Sequence, residues 1–131
     1  MQKKSQRKNL RKELDRLASK YIKLRDKNTC QWCGKMLDNP HAMHCSHVIP
    51  RSAGDRYRWM PENIKVLCFH CHISKWHKDP LAAKKWFKGK FPERFKVLER
   101  ERKKGLKKFT IIELERLKDE YLWMVENWDT K

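Results

Sequence analysis

Cys30-Gln-Trp-Cys33-Gly34 and Leu67-Cys68-Phe-His-Cys71-His72 bracket the stretch His44-Cys-Ser-His47-Val-Ile-Pro-Arg51. Each Cys-x-x-Cys pair suits a tight turn that points two sulfurs the same way, with Gly34 relieving the backbone. Zinc takes four soft ligands in a tetrahedron, and the two pairs supply them. The reading is one structural Zn²⁺ held by Cys30, Cys33, Cys68 and Cys71. The pairs are separated by residues 34–67, too long an interval for a minimal ribbon, so a hairpin and loop should fill it. Cys45, the fifth cysteine, falls on a predicted strand and reads as a small core residue.

Working outward, the segment sits in a chain of 131 residues with 33 Lys and Arg against 16 Asp and Glu, a net charge of +17. A hydrophobic content of 39% allows only a modest core, and a domain this small often relies on a structural metal. The basic surplus points to a polyanionic partner, above all nucleic acid. No apolar run approaches the ~20 residues that cross a bilayer, and the basic N-terminus lacks a secretory apolar region, so no membrane partner is expected. The expected location is the cytoplasm, where clustered cysteines bind metal more often than they form disulfides.

Three stretches follow. Residues 1–28 read as a basic arm leading into an amphipathic helix, with Leu10, Leu14, Leu17, Tyr21 and Leu24 as its apolar stripe and its end before Asn28. Residues 29–80 read as the metal-bearing core: a strand over 42–49, a loop from Pro50 to Pro61, a short strand from Ile64 to Leu67, and a helix from about residue 69 to His77, stopped by Asp79-Pro80. Residues 81–131 read as helical. The expected helices run from Leu81 to Lys88, broken by Gly89, then from Pro92 to Gly105, then onward from a capping box at Thr110-Ile-Ile-Glu113. The first and last helices carry nearly heptad apolar stripes. They pack on each other within one chain, or they pair two chains in a homodimer.

Hydrolysis of a phosphodiester needs an activated water, charge stabilisation on the phosphate, and help for the departing oxygen. A neutral imidazole serves the first, and a divalent cation the others. His47, Asn63 and His72 offer such parts on strand, loop and helix. Their order, with the flanking cysteine pairs, resembles the HNH endonuclease family, and within it the NinG/Rap group of phage recombination endonucleases. The resemblance rests on Tyr21-Ile-Lys-Leu-Arg-Asp26, the first cysteine pair, His44 to Arg51, Arg58-Trp-Met-Pro-Glu-Asn63, and Leu67 to His72. It implies an α+β chain: a small ββα-metal core (HNH, His-Me finger) with a four-cysteine zinc site, flanked by N- and C-terminal α-helices.

The resemblance also implies roles. His47 would be the general base, His72 a ligand of a catalytic Mg²⁺ or Mn²⁺, Asn63 the residue that holds the loop, and Arg51 a phosphate contact. Many members carry Asp or His directly before the base; here that residue is Ser46. The second ligand is then either His44 or His77. Strand alternation puts His44 and His47 on opposite faces, and His77 lies roughly 140° from His72 on an ordinary α-helix. His41 and His70 read as surface residues.

Basic clusters occupy both flanks, and Lys84, Lys85, Lys88 and Lys90, with Arg58, are the candidate DNA contacts. Such contacts give affinity and salt dependence rather than sequence readout. The six tryptophans read as core residues, with base stacking as the alternative for Trp59 in the loop. The implied activity is DNA cleavage at branched recombination intermediates, or by DNA shape. The alternatives are linear duplex cleavage during phage packaging or host-DNA degradation, and a zinc-dependent nucleic-acid-binding protein without catalysis.

Overall fold

The computed structural model describes residues 2–130. Helix α1 spans Gln2–Arg25, so the basic lead-in is helical rather than a loose arm. Its buried face is Leu10, Leu14, Leu17, Ala18 and Ile22, a stripe at steps of three and four. Ile22 takes the buried place expected of Leu24, which is only half-buried. The helix ends as Lys27 and Asn28 turn left-handed, at φ 54° and 49°. The Asn28 amide closes the turn on the Lys23 carbonyl at 2.8 Å, and its side chain donates to the Leu37 carbonyl at 2.6 Å. Asparagine tolerates this conformation because its amide bonds locally.

Strand β1, Met43–His47, pairs antiparallel with β2, Ile64–Cys68. The register sets Met43 opposite Cys68, Ser46 opposite Lys65 and His47 opposite Ile64. The loop between them folds into a short helix α2, Asp55–Arg58, a turn the sequence did not disclose. Gly54 enters it at φ 128°, and a Cβ there would stand 3.2 Å from the Lys107 backbone. This is a position that only glycine fills without strain.

After β2 the chain winds as a π-helix, Cys71–His77. Asp79 then caps α3, Pro80–Lys90, accepting from the Ala82 amide at 3.2 Å. α3 runs through Gly89 and stops at Phe91, which leaves the helical region at φ −127° and ψ 65° just before Pro92. The break is therefore set by the missing proline donor and not by glycine. α4 spans Pro92–Arg102, and α5 spans Ile111–Glu126. The capping box is present: Thr110 and Glu113 exchange side-chain to backbone bonds at 3.1 Å each.

α1 and α5 pack on each other within one chain. Tyr21 meets the edges of Tyr121 and Trp128 at 5.8 Å, and the Tyr121 hydroxyl donates to the Trp59 carbonyl. α1 thus covers the sheet on one side, with α5 packed on α1. On the other, Trp32 of the first cysteine turn stacks on Trp86 of α3, with ring centres 4.4 Å apart. Leu14 is fully buried between these layers, and Leu14→Ala is expected to destabilise by about 2–5 kcal/mol in denaturant unfolding. Among the described residues no helix is long and apolar enough to cross a membrane.

Candidate active site

The four sulfurs of Cys30, Cys33, Cys68 and Cys71 lie within 4.8 Å of one another. Backbone bonds shape the first turn: Gly34 N–H to the Cys30 carbonyl at 2.9 Å, and Cys30 N–H to the Lys35 carbonyl at 2.8 Å. Cys33 Sγ and Cys68 Sγ are 3.7 Å apart, where tetrahedral bonds of about 2.3 Å would set sulfurs about 3.8 Å apart. Burial pushes the Cys30 thiol up, but backbone donation around it from Cys33, Cys68 and Trp32 outweighs this and brings it to about 7. The donor set fits zinc. Cys45 lies elsewhere, against Ser19 at 3.5 Å, and takes no part.

His47 closes β1. Its Nε2 lies 2.9 Å from the Arg58 carbonyl, which can only accept. The proton therefore sits on Nε2, and the Nδ1 lone pair is left for a substrate or water. Burial holds the His47 pKa below its ordinary 6.5, and nearby Arg51 and Lys65 act the same way.

Asn63 anchors the loop. Fully buried, it accepts from the Ile49 amide at 2.7 Å and donates to the carbonyls of Ile49 and Tyr57, both at 2.9 Å. These bonds tie the end of β1 to α2, so they fix the distance between His47 and the Arg58 carbonyl. Asn63→Ala would leave the part-buried Ile49 amide and carbonyl without their side-chain partner, at up to about 1–3 kcal/mol each where water cannot replace it. A lowered melting temperature is the expected result.

His72 stands between two other imidazoles. Its Nδ1 is 2.9 Å from His44 Nδ1, and its Nε2 is 3.0 Å from His77 Nε2. The π winding explains the second contact: with i to i+5 bonding, a residue five positions on returns to the same face, which an α-helix would not allow. A cleft of about 820 Å³ is lined by His47, His72, His77, Arg51 and Lys84, among others, and His44 is not on its wall. Cys45 and His47 face the cleft together, as the strand period requires. His44 sits behind, edge-on to Phe69.

Two imidazole nitrogens 3.0 Å apart suit adjacent positions on an octahedral ion with bonds of about 2.1 Å. Burial, followed by the neighbouring His77 and His44, holds the His72 pKa down to about 4, so the ring is neutral at pH 7 and one of its nitrogens keeps a free lone pair. The residues fit a divalent cation.

Ser46 cannot take the place of the usual acidic ligand. It is buried, and its hydroxyl accepts from Lys65 Nζ at 2.9 Å. Lys65 is itself fully buried, with its amine 3.0 Å above the centre of the Trp76 ring. Burial holds its pKa well below the usual lysine value. The sequence shows Ser46 and Lys65 separately; only the register makes them a pair.

The remaining candidates divide. Arg51 is exposed on the cleft rim. Arg58 forks onto Asp15 at 2.9 and 2.6 Å, so its guanidinium is already engaged. Asp15 also accepts from Trp59 Nε1 at 2.8 Å. Trp59, 1% exposed, is a core residue and offers no face to a base; its indole proton is spent on a carboxylate that the sequence does not place beside it. Lys84, Lys85, Lys88 and Lys90 lie along α3, and His41 and His70 are exposed.

Residues 30–78 match the family model of the HNH endonuclease. No curated protein and no solved structure matches the chain.

Proposed function

We propose that the HNH domain of residues 30–78 makes this chain a divalent-metal-dependent DNA endonuclease. The observation that carries the reading is the convergence of His47, held by the Arg58 carbonyl, with the His72–His77 pair on one cleft. His47 Nδ1 takes a proton from water as the water oxygen bonds to phosphorus. The bond from phosphorus to the 3′-oxygen breaks, and the departing oxygen takes a proton from solvent, leaving a 3′-hydroxyl and a 5′-phosphate. A bound cation supplies charge stabilisation at the phosphate and at the departing oxygen. His72 and His77 would hold it, with His44 setting the His72 ring from behind, as ring-nitrogen partners of metal-bound histidines do. Arg51, on the rim, contacts the phosphate, and Asn63 keeps His47 in place. The four cysteines hold a structural zinc.

Imidazole donors favour Mn²⁺ and later first-row ions over Mg²⁺. Titration calorimetry is expected to show Mn²⁺ binding more tightly than Mg²⁺, with the difference lost in His77→Ala. Unchanged affinity in that variant would return the second-ligand role to His44.

Branched recombination intermediates are the proposed special substrate, from the resemblance to the NinG/Rap phage group. Comparing four-way junctions, splayed arms and linear duplex tests that preference against packaging or degradative cleavage. The engagement of Ser46 by Lys65, which removes a usual ligand, favours the second reading of a non-catalytic zinc-dependent binder. Cleavage assays with Mn²⁺ against EDTA separate the two. A homodimer would let both strands be cut, and sedimentation at several concentrations tests for it.

A further inference from the structure

A second concavity, of about 310 Å³, lies along α1. Lys4, Lys8, Arg11 and Lys12 line it, and so do Asp15 and Arg58. The last two also line the catalytic cleft, so the basic groove opens into the cleft at the Asp15–Arg58 pair. The same Arg58 supplies the carbonyl that orients His47.

The groove is built by helix periodicity. Positions 4, 8, 11, 12 and 15 fall on one stripe of α1, and positions four apart are about 6 Å apart along the axis. That spacing is close to the separation of successive phosphates on one strand. Arg11 is tied to Asp55 at 2.6 Å, which spends part of its charge. Lys4, Lys8 and Lys12 are exposed, and among the described residues none forms an ion pair with a carboxylate.

A solvated face would account for the charges but not for their position in a hollow that runs into the catalytic cleft. The cleft continues the same logic. Its wall includes the half-buried Phe95 and Ile49, apolar surfaces on which unpaired bases can rest. A charged groove that leads to aromatic and apolar walls is how proteins take up a single strand. A duplex keeps its bases stacked inside and offers those walls base edges in its grooves but no base faces.

We propose that the α1 groove and the catalytic cleft form one track for a single unpaired DNA strand, with its backbone on Lys4, Lys8 and Lys12 before it reaches His47. This rests on the endonuclease reading and names the part of the substrate that the site grips.

The test is binding in EDTA, where nothing is cut. The variant Lys4→Gln/Lys8→Gln/Lys12→Gln is compared with wild type on a fluorescent 30-mer of thymidine and on a blunt duplex, across a salt series. A control of equal charge change is Lys27→Gln/Lys35→Gln/Arg116→Gln, residues that line neither concavity. Circular dichroism and melting confirm that each variant is folded. The expected result for the α1 variant is a single-strand salt slope reduced by about 2 and binding roughly 10- to 100-fold weaker at 0.1 M salt. Duplex affinity is expected to change by less than about threefold, and the control is expected to leave the single-strand slope near wild type. An unchanged slope in the α1 variant, an equal loss on duplex, or an equal loss in the control overturns the track. If no cation supports cutting while the slope still falls as stated, the endonuclease reading fails and the track stands.

Discussion

His47→Ala is expected to lower metal-dependent DNA cleavage by about 10²- to 10⁴-fold, the range a positioned general base contributes. The effect should fall on the chemical step. His47 makes one hydrogen bond, to the Arg58 carbonyl, and sits on a strand end whose other ties run through Asn63. The variant should therefore melt near wild type and bind DNA with unchanged affinity. A rate lost together with folding would point to a structural role. The acid limb supports the same assignment. Burial depresses the His47 pKa, so the neutral base persists below pH 6.5 and the limb of kcat/KM should lie below that value. The stability effect has the same direction. The unfolded chain takes up this proton first as the pH falls, so the contribution is full above 6.5 and is lost as the pH drops through the folded value.

Removing zinc is expected to have the largest effect on the fold. The four cysteines come from the turn after α1 and from the junction of β2 with the π-helix, so the ion would fasten the sheet to the first knuckle and orient the start of the helix that bears His72. Zinc at such a site contributes on the order of 10–16 kcal/mol to small metal-folded domains, while a whole domain is stable by only about 5–15. The metal term is thus as large as the net stability. One zinc per chain should be released by a thiol-reactive agent, and chelation should abolish the cooperative melt. Cys68→Ser and Cys71→Ser should do the same. A cooperative transition that survives full chelation, or protein purified without zinc, would contradict this.

The four-cysteine cluster and the order of His47, Asn63 and His72 were legible because each depends on short-range spacing. The approach of His77 to His72 was not. Counting by 3.6 residues per turn sets His77 far from His72, and nothing in the stretch from Cys71 to His77 announces a π winding. Strand alternation correctly separated His44 from His47, yet it could not show that His44 would reach His72 from behind. The Ser46–Lys65 pair was hidden for a related reason: cross-strand register is set by the loop, and the loop contained an undetected helix. The partner that Trp59 and Arg58 share was hidden because both lie in a charged, turn-like segment. Asp15, on a different helix, draws the indole and the guanidinium inward. Long-range carboxylates of this kind leave no local pattern.

The central claim is that His47 and a cation on the His72–His77 pair act on one phosphodiester. End-labelled DNA carrying an unpaired arm, incubated with Mn²⁺ or with EDTA, tests it most directly. The predicted result is nicking that requires the cation, leaves 3′-hydroxyl and 5′-phosphate ends, and is abolished in both His47→Ala and His72→Ala. Cleavage by His47→Ala at the wild-type rate, or intact DNA with every divalent cation tried, would contradict it.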